Sequence, residues 1–152
     1  MPSTTVIRDF LAQRHLAVVG VSRDTKAFAN VVFRRLADQG HDVIPVNPAA
    51  VELEGRKCHA SVRHVPDPLD GVLVMLNATA ALAVVDDCIY REVERVWLHR
   101  GVGTGATSEG AVATCRAQGI AVVDGACPLM FLDHPGMLHR AHRFMVRGRL
   151  AA

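Results

Sequence analysis

The chain is poor in aromatic residues: five Phe, one Trp and one Tyr make up 5% of its 152 residues, although half of all residues are hydrophobic. A core must therefore be assembled mainly from Val, Ala and Leu, which suits short strands held between helices. Charge of one sign is also scarce. A formal net charge of +2 gives no reason to expect nucleic acid or an anionic membrane as partner. No apolar run approaches the roughly 20 residues of a membrane span, and the opening MPSTTVIRDF has neither the charge nor the apolar stretch of a secretory signal. Cys58, Cys88, Cys115 and Cys127 contain no Cys-x-x-Cys pair, so they read as reduced thiols rather than as a metal knuckle or disulfide frame. These absences point to one cytoplasmic domain, long enough to bury about two-thirds of its unfolded surface.

What is present is alternation. Ser3 stands where it could cap a helix over residues 4–14, with Val6, Ile7, Phe10 and Leu11 at helical spacing. Residues 16–19 form a short apolar run closed by Gly20. A helix follows over 27–39, stopped at Gly40, then a strand over 43–46 halted by Asn47-Pro48. Residues 50–68 are more polar, with turn formers at Gly55, Pro66 and Pro68 and room for a short helix near 61–65. Further strands are expected at 71–76, 93–98 and 120–123, with helices at 79–91 and 108–118, the last stopped at Gly119. Short buried strands separated by helices indicate parallel pairing with helices on both faces. Right-handed crossovers then give an α/β, Rossmann-like, doubly wound domain with a five-stranded, mainly parallel sheet. It occupies residues 1–152 as one unit: a core of about 15–132 and a tail over 133–152. The tail carries Arg140, Arg143, Arg147 and Arg149 and room for a short basic helix at 135–149. Apolar outer helices leave homo-oligomerisation as an option.

In such a sheet ligands bind beyond the carboxyl ends of the strands, where strand order reverses. The first of these ends, Val19-Gly20-Val21-Ser22, has the composition of a phosphate turn. Gly20 lets backbone approach a ligand, the next helix points its N–H groups and positive dipole there, Ser22 adds a hydroxyl, and Lys26 adds a mobile charge. An ordinary strand-to-helix turn with a solvated lysine is the plain alternative. A dinucleotide site expects Gly-x-Gly-x-x-Gly and an acidic residue closing the second strand. Here only one of those glycines is present and the second strand ends Val46-Asn47-Pro48, so NAD is disfavoured. Asn47, held extended by Pro48, either contacts a base or ribose or ties off its strand. Phe28 either joins the core or covers an adenine. The glycine-rich segment 100–108 is a second anion nest or a plain loop.

Redox or hydrolytic chemistry has little support. Cys127 and His99 lie near strand ends, but nothing groups a nucleophile, a base and an orienting acid, and a structural cysteine is the simpler reading. His134, His139 and His142 lack a carboxylate or cysteine at matched spacing, so they read as surface or tail-packing residues rather than metal ligands.

Several short segments in order, Ala17-Val-Val-Gly-Val-Ser22, Lys26-Ala-Phe-Ala-Asn30, Gly40-His-Asp-Val-Ile-Pro-Val-Asn-Pro48, Val96-Trp-Leu-His-Arg100, Gly105-Ala-Thr-Ser108 and Gly125-Ala-Cys-Pro-Leu-Met-Phe131, resemble the CoA-binding-domain family. Its members include small stand-alone proteins similar to the N-terminal CoA-binding domain of the succinyl-CoA synthetase α subunit. The resemblance covers residues 16–145 and implies a Rossmann fold holding coenzyme A, or an acyl-CoA, by its ADP part. It sets Gly20, Ser22 and Lys26 against phosphates, with Phe28 and Asn30 in the same motif. It places Val46, Asn47 and Pro48 along the nucleotide, and uses the strand ends at Met75 and Arg100 to complete the cleft. Two departures stand out: Leu76-Asn-Ala-Thr79 lacks the prolines or charges often found there, and the ending over 132–144 resembles a subset of the family. The resemblance supplies no catalytic residue. The resulting expectation is a non-catalytic binding, sensor or carrier module for a small nucleotide ligand. An NAD(P)-binding redox sensor, an enzyme acting on a CoA thioester through His99 or Cys127, and a scaffold with a vestigial pocket stand as alternatives.

Overall fold

The computed structural model describes residues 2–100 and 105–132. The expected tail helix at 135–149, the histidines at 134, 139 and 142, and the Gly101 and Gly103 part of the glycine-rich segment lie outside these residues.

Five parallel strands form the sheet: β1 (His15–Val19), β2 (Asp42–Val46), β5 (Gly71–Val74), β6 (Arg95–Leu98) and β7 (Ala121–Asp124), in the order β2-β1-β5-β6-β7. Registers run without a slip, from Leu16 against Val43 and Gly71 to Leu98 against Asp124. Strand β5 is buried along its whole length, as expected where helices cover both faces. Alternation sends successive side chains to opposite faces. Leu16, Val18, Leu73 and Trp97 join Ile7 and Phe10 of α1 (Thr4–Leu11) and Val32, Phe33 and Leu36 of α2 (Phe28–Asp38). Ala17, Val72, Val74, Val96 and Leu98 pack on Val84, Val85 and Cys88 of α3 (Ala78–Tyr90) and Val112 and Cys115 of α4 (Glu109–Ala117).

With few aromatics available, one does much of the filling. Trp97 is fully buried, meets Phe10 edge-on at 5.4 Å, and donates its indole N–H to the Ala126 carbonyl at 3.2 Å. Burying an indole without such a partner would carry the cost of an unsatisfied donor.

The helix ends follow local chemistry. Gly40 closes α2 through His41 N–H to the Leu36 carbonyl (3.2 Å) and Gly40 N–H to that of Ala37 (3.1 Å). Ile120 and Gly119 close α4 on Cys115 and Arg116 in the same way. Two expectations change. Ser3 occupies the N-cap position of α1, as expected, but its side chain makes no capping bond, and the helix ends at Leu11 rather than 14 because residues 12–14 turn into β1. The polar stretch after β2 also holds a small antiparallel hairpin, β3 (Glu52–Leu53) and β4 (Arg56–Lys57). Two-residue strands around Glu54-Gly55, both at positive φ, leave no alternating pattern to read. The four cysteines are free, three of them buried. Burial pushes the Cys88 thiol well above its usual range and that of Cys115 to about 11, so neither supplies a thiolate near neutral pH.

Helix α3 ends with the same pair of bonds as the other two, Val93 N–H to Cys88 and Glu92 N–H to Ile89, yet its left-handed residue is Glu92 (φ 54°). The Glu92 side chain is exposed, so nothing offsets the strain. Glu92→Gly is expected to stabilise the fold by up to about 1 kcal/mol, a rise in melting temperature of roughly 2–4 °C; an unchanged or lower Tm by calorimetry would contradict this reading of the cap.

Candidate functional site

The strand order reverses between β1 and β5, so the crevice at their carboxyl ends is where a ligand is expected. The ladder continues one residue beyond each strand. Gly20 N–H donates to Val46 O (3.2 Å), Met75 N–H to Val19 O (2.9 Å) and His99 N–H to Val74 O (3.1 Å). Gly20, Met75 and His99 thus stand side by side at the rim.

Gly20 adopts φ +109°, and a Cβ there would lie 2.5 Å from the Met75 carbonyl oxygen. Its smallness is required first by the neighbouring strand end, before any ligand arrives. From Gly20 the chain runs through residues 21–27 into α2, and two carboxamides hold it. Asn30, 1% exposed, is the only buried polar residue among the described ones. Its Oδ1 accepts the Ser22 N–H (2.8 Å) and its Nδ2 donates to the Ser22 carbonyl (2.8 Å) and to Glu54 Oε1 (2.9 Å). Arg34 donates to the same Glu54 oxygen at 2.8 Å. From the β2 side, Asn47 Nδ2 donates to Val21 O (2.8 Å) while its Oδ1 accepts the Ala49 N–H (2.8 Å). Arg23 adds a further bond to the Ala49 carbonyl. Asn47 therefore ties the end of β2 to the loop, one of the two roles its sequence position allowed.

The loop's outer surface is polar and open. Ser22 Oγ accepts the Asp24 N–H at 3.0 Å, Asp24 Oδ1 accepts the Lys26 N–H at 3.0 Å, and Lys26 is exposed. Helix α2 begins directly behind, preceded by Ala27, and no side chain caps it; Asn77 and Ser108 cap α3 and α4. The uncapped, positive end of α2 thus lies beside a serine hydroxyl and a lysine at the reversal point, an arrangement suited to an anion.

Phe28, the first residue of α2, is 47% exposed and packs its ring on His99 at 5.6 Å. The His99 Nε2 is the one buried side-chain polar atom without a hydrogen-bond partner among the described residues, and burial lowers its pKa below the usual histidine range. The His99 carbonyl accepts the Ala106 N–H at 2.9 Å, and Gly105 is required beside it, since a Cβ there would stand 2.3 Å from that oxygen.

The residues marked in the sequence thus divide. Gly20, Ser22, Lys26, Phe28, Asn47 and Met75 border the rim, and exposed Pro48 follows Asn47. Val46 lies buried beneath, and Asn30 holds the loop from inside. Arg100 stands beyond β6, its Cβ and Cδ 3.6 Å from where a Gly125 Cβ would be. Glu54 escaped the sequence reading altogether. It reaches Asn30 from a hairpin with no pattern signal, and a lone Glu-Gly gives no hint of it.

Residues 14–133 match the family described as CoA binding domain. The chain belongs to that family. It is 26% identical over 127 residues to the uncharacterized protein YneT of Bacillus subtilis, covering 83% of this chain and 91% of YneT. It is 31% identical over 101 residues to the α subunit of acetate–CoA ligase [ADP-forming] II of Pyrococcus furiosus, 66% of this chain but only 22% of that subunit. Among solved structures, a hypothetical protein from Pyrococcus horikoshii aligns with a TM-score of 0.77 at 28% identity, covering 84% of this chain and 88% of its own. A dinucleotide-forming acetyl-coenzyme A synthetase of Ca. Korarchaeum cryptofilum, in complex with phosphate and ADP, aligns at 0.68 and 28% identity over 78% of this chain and 27% of that one. Similar sequences and folds thus occur both as small proteins of this size and as one part of much larger chains.

Two outcomes follow from this geometry. Asn30→Ala removes the partners of the Ser22 N–H and carbonyl and leaves Glu54 with Arg34 alone, so a loss of about 1–3 kcal/mol is expected in denaturant melts; a loss below half of that would mean the loop is held by other contacts. A depressed His99 pKa means that the unfolded state takes up a proton first. The stability it contributes is complete above about pH 6.5 and is lost as pH falls from there toward the folded pKa. His59, lowered by burial and then by Lys57 and His64, acts in the same direction. A His99→Gln variant should accordingly lose less stability than the wild type between pH 7.5 and 5.5, measured by melting temperature at each pH.

Proposed function

We propose that this chain binds coenzyme A or an acyl-CoA through its ADP moiety at the rim between β1 and β5, as a binding, sensor or carrier module without chemistry of its own. The observation that carries the reading is the uncapped amino end of α2 beside Ser22 and Lys26 at the reversal point, in a chain of the CoA-binding-domain family. A pyrophosphate placed there meets helix N–H groups, a hydroxyl donor and a mobile cation. The loop that presents them is fixed in advance by Asn30 and Asn47, which lowers the ordering cost of binding. In this reading Val46, Asn47 and Pro48 border the adenosine, and Met75 and Arg100 extend the cleft along the strand ends. Asn30 contributes by holding Ser22 rather than by touching the ligand.

Nicotinamide dinucleotides are less well served. Their ribose diol is normally gripped by a carboxylate at the end of the second strand, and here Asn47 occupies that place with both its amide groups committed to protein partners.

A thermal-shift panel of CoA, acetyl-CoA, ADP, ATP, NAD(H) and NADP(H) tests the proposal. CoA or acetyl-CoA should give the largest shift, and a ligand at a hundred times its dissociation constant adds about 2.7 kcal/mol. Lys26→Ala should weaken CoA binding, most at low salt, since the charge is exposed and screened, without lowering the Tm of the free protein. A larger shift with NAD(H) than with CoA, or unchanged CoA affinity in the lysine variant, would overturn the assignment.

A further inference from the structure

We propose that His99 is the contact for the sulfur end of the bound molecule, its Nε2 donating to the carbonyl of an acyl thioester, so that the site prefers acyl-CoA to free CoA. This rests on the CoA-binding reading above and specifies the ligand class within it.

The first support is the ring's environment. The Nε2 of His99 is buried and has no partner among the described residues, and buried polar atoms in folded proteins are nearly always paired. A group in this state at the rim of a ligand crevice is suited to a partner that arrives with the ligand. The second support is position. Trp97 packs into the α1/α2 face, so His99, two residues on, projects to that same face. There it meets Phe28, at the start of the helix whose amino end faces the proposed phosphates. Met75, the rim residue between β1 and β6, packs on that face too. His99 stands two strands from the Gly20 turn, roughly 9–10 Å across the sheet. A molecule anchored by phosphates at β1, with its adenosine toward β2, sends its pantetheine arm toward β6, and that arm, longer than this distance when extended, folds back to set its thioester at His99.

The third support is chemical. Burial holds the imidazole neutral near pH 7, so it offers a phosphate no charge. A neutral N–H matches a neutral acceptor, and a thioester carbonyl is one. The free thiol of CoA is a poor hydrogen-bonding group by comparison. Phe28 packs its half-exposed ring against the imidazole, an apolar neighbour suited to the methylene and acyl part of such an arm.

The test is calorimetric titration of wild type, His99→Phe and His99→Gln with three probes: 3′-phospho-ADP, CoA and acetyl-CoA. Wild type should bind acetyl-CoA roughly tenfold more tightly than CoA, the worth of about one net hydrogen bond. His99→Phe should bring that ratio to about one while 3′-phospho-ADP affinity stays within about twofold, and His99→Gln, which keeps a neutral donor, should retain part of the preference. In the wild type, independent of any variant, the His99 Nε2 NMR resonance should move on addition of acetyl-CoA and stay in place with 3′-phospho-ADP. Equal wild-type affinity for CoA and acetyl-CoA, or a ratio unchanged in both variants, overturns the proposal while leaving CoA binding standing. A wild type that binds none of the three probes removes the underlying reading, and this proposal with it.

Discussion

The bracket between Asn30 and Ser22 is the interaction on which the candidate site depends. One buried carboxamide takes both the N–H and the carbonyl of a single loop residue and still reaches Glu54. A loop crossing from β1 to α2 would otherwise bring backbone polar groups to the edge of an apolar core, where unpaired groups are costly. Asn30 resolves that problem and fixes the loop's conformation in the same step. Glu54 accepts from the amide and is itself held by Arg34, so the small hairpin after β2 serves as the backing of the loop. The elements that look peripheral in the topology are the ones that set its shape.

The sheet supplies the complementary constraint. Parallel strands with helices on both faces leave only the strand ends accessible, and the reversal between β1 and β5 opens the rim at one place. There the backbones of Gly20 and Met75 approach so closely that no side chain fits between them. The glycine that looked like a ligand-contact residue is first a packing residue of the protein itself. The two demands agree: a turn that must pass a neighbouring carbonyl closely also leaves its backbone uncovered on the outside.

Much of this was legible in the sequence, and the reasons differ by element. Strands such as Val72-Leu73-Val74 and helix stops such as Gly40 and Gly119 are local statements, written in residue types over four to ten positions, and they hold within a residue or two. Gly20, Ser22 and Lys26 were legible as a turn because they follow the first strand directly. What could not be read was any contact made by side chains distant in sequence. Glu54 pairs with Asn30 across 24 residues, and Phe28 meets His99 across 71 residues; neither leaves a periodic trace. Asn47 is an intermediate case. Its place after β2 was clear, but whether its amide served the ligand or the loop depended on where Val21 would lie. The Ser3 cap is met in part: the residue stands at the N-cap of α1, but its hydroxyl makes no bond to the helix, a side-chain choice that residue type alone does not decide.

The division of labour around the rim bears on what kind of protein this is. Where side chains carry chemistry, they need freedom to change protonation or partner. Here Asn30 and Asn47 are committed to protein atoms, Cys88 and Cys115 are buried thiols held protonated, and Asp24 is engaged with its own loop. The groups left on the outside, Lys26, the hydroxyl of Ser22 and the amino end of α2, are suited to holding a charged molecule in place. His99 stands apart from both sets, a titratable group at the rim whose burial favours the neutral form. On the proposed reading the site distinguishes what it holds, and in that the arm of the ligand matters as much as its phosphates.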